Sequence, residues 1–417
     1  MNHVEEIEFV EKTTLPNGLR VVSERISNIK SISIGIWVKT GSRDELPKQA
    51  GITHFLEHML FKGTETRSAF DIAQSMESVG GYLNAFTSSE YTCYYARCLD
   101  SQINRAIDVL SDMVLHSTFP DEEIEKEKKV VIEEMKMYRD SPDDFLFEEF
   151  NAKIFAGHDL GRPVIGFEET VSAFQKEDLI TYIKDRYTPS NLLIAVTGNV
   201  DHAQVVGLAE QHFGSLESRS PFEKEKELAG TRELGRLELS KAIEQTHYIY
   251  GRRSIDFNHP DKYKLLLANT VLGGGMSSRL HQNVREKYGY CYSIQTFNQS
   301  YTDSGLWGVY VGTDREYVEH VHELVVKELA TIGKEPIPVK EFSEAKSQLK
   351  GKLLLSQENT SNRMTRLAKS ELYFDRFVTL DELVEKIDEV TLEEVLSFSA
   401  DFFDPSYFME AVLTPED

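Results

Sequence analysis

The sequence predicts an α+β protein of two tandem, structurally similar domains, each an antiparallel or mixed β-sheet with helices packed on one face. Its length, the order of its apolar patterns and a rerun of that order carry the prediction. At 417 residues the chain is about two domains of roughly 100–200 residues each. In each half, strand-like patterns are followed by longer stretches of helical periodicity, the arrangement of α+β layers. The second half repeats the element order of the first, which reads as an internal duplication.

The first half opens with strands over Gly18–Ser23 and Ser31–Thr40, the latter alternating as SISIGIWVKT. Helices and a hairpin follow. Residues 191–200, NLLIAVTGNV, form a short apolar strand with a turn at its end. The composition then changes to LESRSPFEKEKELAGTRELGR, an exposed linker. The expected boundaries are an N-terminal domain at 1–216, a linker at 217–236 and a C-terminal domain at 237–417. In the second half come a strand near His247–Arg252, a helix over Pro260–Leu272 and strands over Tyr292–Gln299 and Ser304–Thr313. Helices follow again, and the closing YFMEAVLTPED stands where NLLIAVTGNV stands in the first half.

Hydrophobic residues make up 40% of the chain, with 23 Phe and 18 Tyr, which suffices for a large core and excludes a disordered chain. Against 69 Asp+Glu there are 46 Lys+Arg, a net charge of −23. Such a surface repels phosphate backbones and anionic lipid, so no nucleic-acid or membrane partner is expected, whereas cationic peptides fit. Cys93, Cys98 and Cys291 make neither a disulfide framework nor a Cys-rich zinc site, which suits a reducing compartment. The opening MNHVEEIE has no apolar core of a signal peptide, and no apolar run approaches the roughly 20 residues of a membrane span. The expectation is a cytoplasmic protein.

Residues 50–63, AGITHFLEHMLFKG, read as a short buried helix stopped by Gly63. His54, Glu57 and His58 interrupt its apolar character and project from one face. Unpaired, each polar group would cost a few kcal/mol in that setting. Zinc satisfies them: two imidazoles one turn apart reach one tetrahedral ion, and the intervening carboxylate stands beside its open position. The order is H-x-x-E-H. A catalytic zinc takes a third protein ligand, and residues 121–139 form a long helix with Ile124, Val131, Met135 and Tyr138 on its buried side. Glu127 and Glu134 flank Val131 at that apolar border, but spacing does not choose among Glu123, Glu127, Glu133 and Glu134.

Beyond this motif, the sequence resembles the pitrilysin/insulysin family of zinc peptidases, in particular its bacterial branch similar to the β subunit of the mitochondrial processing peptidase. The resemblance spans almost the whole chain: GSRDE at 41–45, GITHFLEHMLFKGT at 51–64, GGYLNAFTSSEYTCYYA at 80–96, EKKVVIEEMKM at 127–137, LGRPVIG at 160–166 and GGGMSSRLHQNVREKYGYCYS at 273–293. It implies one Zn²⁺ per chain held by His54, His58 and Glu134, with Glu57 as general base and Glu127 supporting the site. It also implies that Arg285 and Tyr292 hold substrate and stabilise the oxyanion. YLNAFT at 82–87 matches the family's edge strand, which binds an extended peptide by strand addition, with Asn84, Ala85 and Phe86 as substrate contacts.

The resemblance therefore implies a zinc endopeptidase acting on short or unstructured peptides, basic ones among them. The second half has no H-x-x-E-H: its corresponding helix is DKYKLLLANTVLGGG. Family members twice as long close two such halves around a chamber, which implies a homodimer here, Arg285 and Tyr292 serving the partner's zinc. The alternative is a non-catalytic peptide-binding or scaffold subunit of a processing-peptidase-like complex, although such subunits have usually lost parts of the motif. A metalloenzyme for some other carbonyl substrate would not need the edge strand.

Overall fold

The computed structural model describes residues 9–220 and 235–416. Most of the linker expected at 217–236 lies outside them. Two compact units emerge. Of the described residues, the first gathers 9–136, 162–220 and 357–378, and the second gathers 137–161, 235–356 and 379–416.

In the first unit, β1 (Phe9–Thr14), β2 (Arg20–Arg25), β3 (Ser31–Val38), β4 (Tyr82–Thr87), β5 (Thr92–Leu99) and β6 (Leu192–Gly198) form one sheet in the order β1-β2-β6-β3-β5-β4. The β2–β6 pair is parallel and the other pairs are antiparallel, so the sheet is mixed. Strand alternation sorts its side chains. Ile32, Ile34, Ile36 and Val38 join a core with Phe55 and Leu56 of the Ile52–Met59 helix and Ile107 and Leu110 of the Ile103–His116 helix. On the other face Trp37, Cys93, Leu193 and Ala195 meet Met364, Leu367 and Ala368 of the Thr360–Phe374 helix. The expected helical layer thus covers one face, and a single helix from late in the chain covers the other. With both faces buried, β6 needs no polar alternation, which is why it reads as a continuous apolar run.

The second unit repeats the plan with β7 (Gly235–Lys241), β8 (Thr246–Ser254), β9 (Cys291–Ser300), β10 (Gly305–Thr313) and β11 (Met409–Pro415), in the order β7-β11-β8-β10-β9. Only β11–β7 is parallel. Tyr248, Trp307, Val309 and Val412 face the unit's own helices, including Lys262–Gly273 and Val318–Lys334. Ile249, Leu306, Ala411 and Leu413 face Leu146, Phe150 and Ile154 of the Pro142–Ile154 helix, again supplied from the other half of the sequence. Gly251 permits this approach, since a Cβ there would stand 2.9 Å from the Phe150 ring.

Expected and observed elements differ mostly at their ends. The His-bearing helix spans only Ile52–Met59, because Phe61 and Lys62 bond back three residues, to His58 and Met59, and tighten the last turn. Tyr138, expected on a buried side, is 40% exposed. Among the described residues no helix is long and apolar enough to cross a membrane.

Candidate metal centre

The site is built on the Ile52–Met59 helix, whose entry is fixed by two features. Gly51 adopts φ 89°, and a Cβ there would stand 2.5 Å from the Ile165 carbonyl oxygen, so only glycine fits. Ahead of it, Glu45 is fully buried and accepts the backbone N–H of Gly51 and of Thr53, each at 2.8 Å, doing for this helix what a capping side chain does. Burial pushes the Glu45 carboxyl up to about 8, against the pull of those two bonds and of Arg162. Ile52, Phe55, Leu56 and Met59 then fill the core. Helical geometry leaves His54, Glu57 and His58 on the remaining face.

The long helix Asp121–Asp140 brings the carboxylates. Of the four glutamates left open by spacing, Glu123 pairs with Lys126 and Glu133 with Lys136 at the surface. Glu134 Oε2 instead lies 3.5 Å from His58 Nε2 and 3.9 Å from His54 Nε2. Ligand atoms of His54, His58 and Glu134 all fall within 4.8 Å of one another, and no other such group of three occurs among the described residues. Bonds of about 2.0–2.1 Å to a tetrahedral zinc would separate ligand atoms by roughly 3.4 Å, so the set fits zinc closely.

Glu127, only 4% exposed, accepts from His58 Nδ1 at 2.8 Å, and its other oxygen lies 2.7 Å from Lys62 Nζ. With its proton held on Nδ1, His58 presents the Nε2 lone pair towards Glu134. Burial opposes charge on both histidines. In His54 burial and the neighbouring His58 lower the pKa to about 3; in His58 the bond to Glu127 and the charges of Glu134 and Glu57 outweigh burial and raise it. Burial resists ionisation of Glu127 as well, but its bonds to His58 and Lys62 lower its pKa overall.

Glu57 Oε2 accepts from Thr87 Oγ1 at 2.6 Å. Burial raises the Glu57 carboxyl above its ordinary range, Thr87 and His58 hold it back, and the charge of Glu134 adds to the rise. Thr87 ends β4, which among the described residues is an edge strand paired only with β5. Within β4, Asn84 Oδ1 accepts the Ala85 N–H at 2.9 Å, and Phe86 stands edge-on to Trp37 with ring centroids 5.6 Å apart. Neither Lys62 nor Thr87 announces itself in the sequence, because each acts through a residue distant along the chain.

Arg285 and Tyr292 belong to the second unit. Arg285 sits in the π-wound turn His281–Glu286, and its guanidinium carbon lies 5.8 Å from the Tyr292 ring centroid. Tyr292, at the start of β9, is 78% exposed and therefore not part of the core.

Two histidines and a glutamate on one helix, with a carboxylate delivered by a second, define a metallopeptidase centre of the H-x-x-E-H class. Residues 20–168 match the family model described as insulinase, peptidase family M16, and residues 173–349 match the peptidase M16 inactive domain. An uncharacterised zinc protease of Bacillus subtilis is 42% identical over 408 residues, 98% of each chain. One from Rickettsia felis is 34% identical over 406 residues, 97% of each. A protease of Helicobacter pylori shares the fold with a TM-score of 0.90 at 23% identity, covering 98% of this chain and 100% of that one. The chain belongs to peptidase family M16 and is a zinc-dependent peptidase. Its C-terminal region is of the inactive type, in keeping with the absence of His and Glu from the Lys262–Gly273 helix.

Proposed function

We propose that this peptidase is an endopeptidase for extended, unstructured peptides, with His54, His58 and Glu134 as zinc ligands and Glu57 as general base. The observation that carries this reading is the Thr87–Glu57 hydrogen bond, because it ties the base to the end of the free edge strand. Zinc, when bound, supplies a Lewis acid that polarises a carbonyl and acidifies water. A peptide adding to β4 takes the Ala85 N–H in place of the Asn84 side chain, while Phe86 holds the strand against Trp37 from behind. Thr87 occupies one Glu57 oxygen, leaving the other to take the proton of the attacking water and return it to the leaving amine.

Arg285 and Tyr292 are assigned to the oxyanion. Their position in a unit without a metal motif supports a homodimer in which they serve the partner's zinc. The excess of acidic side chains favours peptides bearing Arg or Lys. Three buried, unpaired cysteines agree with a reducing, cytoplasmic setting.

The test is metal content together with cleavage of a mixed peptide library, for wild type and Glu57→Gln. We expect one zinc per chain in both and a loss of about 10²–10⁴-fold in the variant. Zinc in both proteins with no cleavage by either would favour the peptide-binding subunit instead. Mixing Glu57→Gln with Arg285→Ala subunits should recover activity; none recovered while both variants dimerise would sink the partner arrangement.

A further inference from the structure

His281 stands beside Arg285, and no part of the mechanism above uses it. It is buried, at 8% exposure, on the first residue of the π-wound turn His281–Glu286. Its Nε2 lies 2.8 Å from Arg285 Nη1. A guanidinium has donors and no acceptor, so Nε2 must accept, and the ring is neutral with its proton on Nδ1. That Nδ1 is buried without a hydrogen-bond partner. Glu286 Oε1 is 3.7 Å from it, beyond a hydrogen bond.

A buried imidazole with one nitrogen unpaired gains little as packing, since an apolar ring would fill the same space without the cost of an orphaned polar group. What it supplies is a fixed lone pair aimed at a flexible cation. We infer that His281 is a positioning residue, holding the Arg285 guanidinium by Nη1 so that its remaining N–H groups stay oriented for the substrate. The Tyr292 ring bounds the guanidinium further along. An unrestrained arginine loses side-chain freedom of about 2 kcal/mol when it binds, and a tether present beforehand reduces that loss. The wide π turn assists, because it brings residues four apart nearly into line, and such turns recur at functional sites.

The inference rests on the reading of Arg285 as an oxyanion-stabilising group, and the experiment separates the two. kcat and KM are measured for one cleavable peptide with the zinc-loaded wild type, His281→Phe, His281→Gln, Arg285→Ala and the double variant His281→Phe/Arg285→Ala. His281→Phe fills the space without an acceptor and should lower kcat/KM about ten- to hundredfold, mainly in kcat, with zinc content unchanged. His281→Gln restores an acceptor oxygen and should recover most of the loss. The double variant should fall no further than Arg285→Ala alone, because the histidine acts only through the arginine. His281→Leu replaces the Phe variant if that one does not fold. Wild-type kinetics in the acceptor-less variant while Arg285→Ala is impaired overturns the inference alone, as do losses that multiply in the double variant. Wild-type kinetics in Arg285→Ala overturns the reading of Arg285, and the inference with it.

Discussion

Lys62 lies one contact beyond the candidate metal ligands and their partner Glu127. Its ammonium is the second partner of Glu127, a carboxylate almost fully out of water. Without that charge Glu127 has only His58 to stabilise its ionised form, and its hold on the imidazole proton weakens. Lys62→Met should lower zinc affinity about 10–100-fold in competition with a chelator, as loss of a group orienting a ligand does, and Lys62→Arg should retain it. Equal affinities in wild type and Lys62→Met would remove the lysine from the site. Glu45 makes a separate prediction about pH. Burial raises its folded value to about 8, against an ordinary 4.5, so the folded state keeps a proton that the unfolded chain releases. That contribution to stability is complete below the unfolded value and is lost as pH rises through the folded one. Urea midpoints of the metal-free protein should therefore decline between about pH 5 and pH 8 more steeply in wild type than in Glu45→Gln, whose side chain stays neutral throughout. Parallel curves would count against it.

At the scale of elements, the Thr360–Phe374 helix completes the first unit by charge as well as by apolar contact. Glu24 of β2, with no exposed surface, receives Arg363 Nη2 at 2.5 Å and Nε at 2.9 Å, with Arg366 at 3.6 Å, while Glu371 receives Lys12 and Arg20 from β1 and β2. Such a pair adds little over an apolar replacement, yet removing one partner strands a buried charge. Arg363→Met with Arg366→Met should cost about 3–5 kcal/mol in urea unfolding, and adding Glu24→Met should recover most of it. A triple variant as unstable as the double would mean that the arginines act by packing. This helix also marks where the sequence stops being legible. SISIGIWV shows its two faces by alternation, and H-x-x-E-H shows its chemistry by helical spacing, because both signals are local. Nothing local in 357–378 says which sheet that segment covers, since an amphipathic helix looks the same whatever it packs against. For the same reason periodicity left Glu134 among four candidates: Lys126 and Lys136 engage Glu123 and Glu133, and only tertiary packing brings Glu134 beside the histidines of a distant helix. Strand β1 went unread because its side chains are mostly exposed and carry no apolar alternation.

Over the whole molecule, the two units share a plan and differ in chemistry, one bearing the metal set and the other the Arg285–Tyr292 pair. Both are built from a chain of net charge −23. A field of that sign should concentrate cationic peptides around the enzyme and speed their encounter with it, over distances that salt leaves unscreened. The screening length is about 10 Å at 0.1 M ionic strength and about 3 Å at 1 M. Steering and chemistry therefore separate by salt, since contacts within a few ångströms of the metal set survive conditions that abolish the long-range field. For a peptide bearing several Lys or Arg residues, kcat/KM should fall severalfold as ionic strength rises from about 0.05 to about 0.5 M. The change should lie in KM, with kcat nearly constant, because the catalytic groups act at contact. A peptide of the same length with those residues replaced by Gln should show a much flatter response. If both peptides lose rate in parallel, salt acts on the enzyme itself, and the acidic surface has no part in choosing what it cuts.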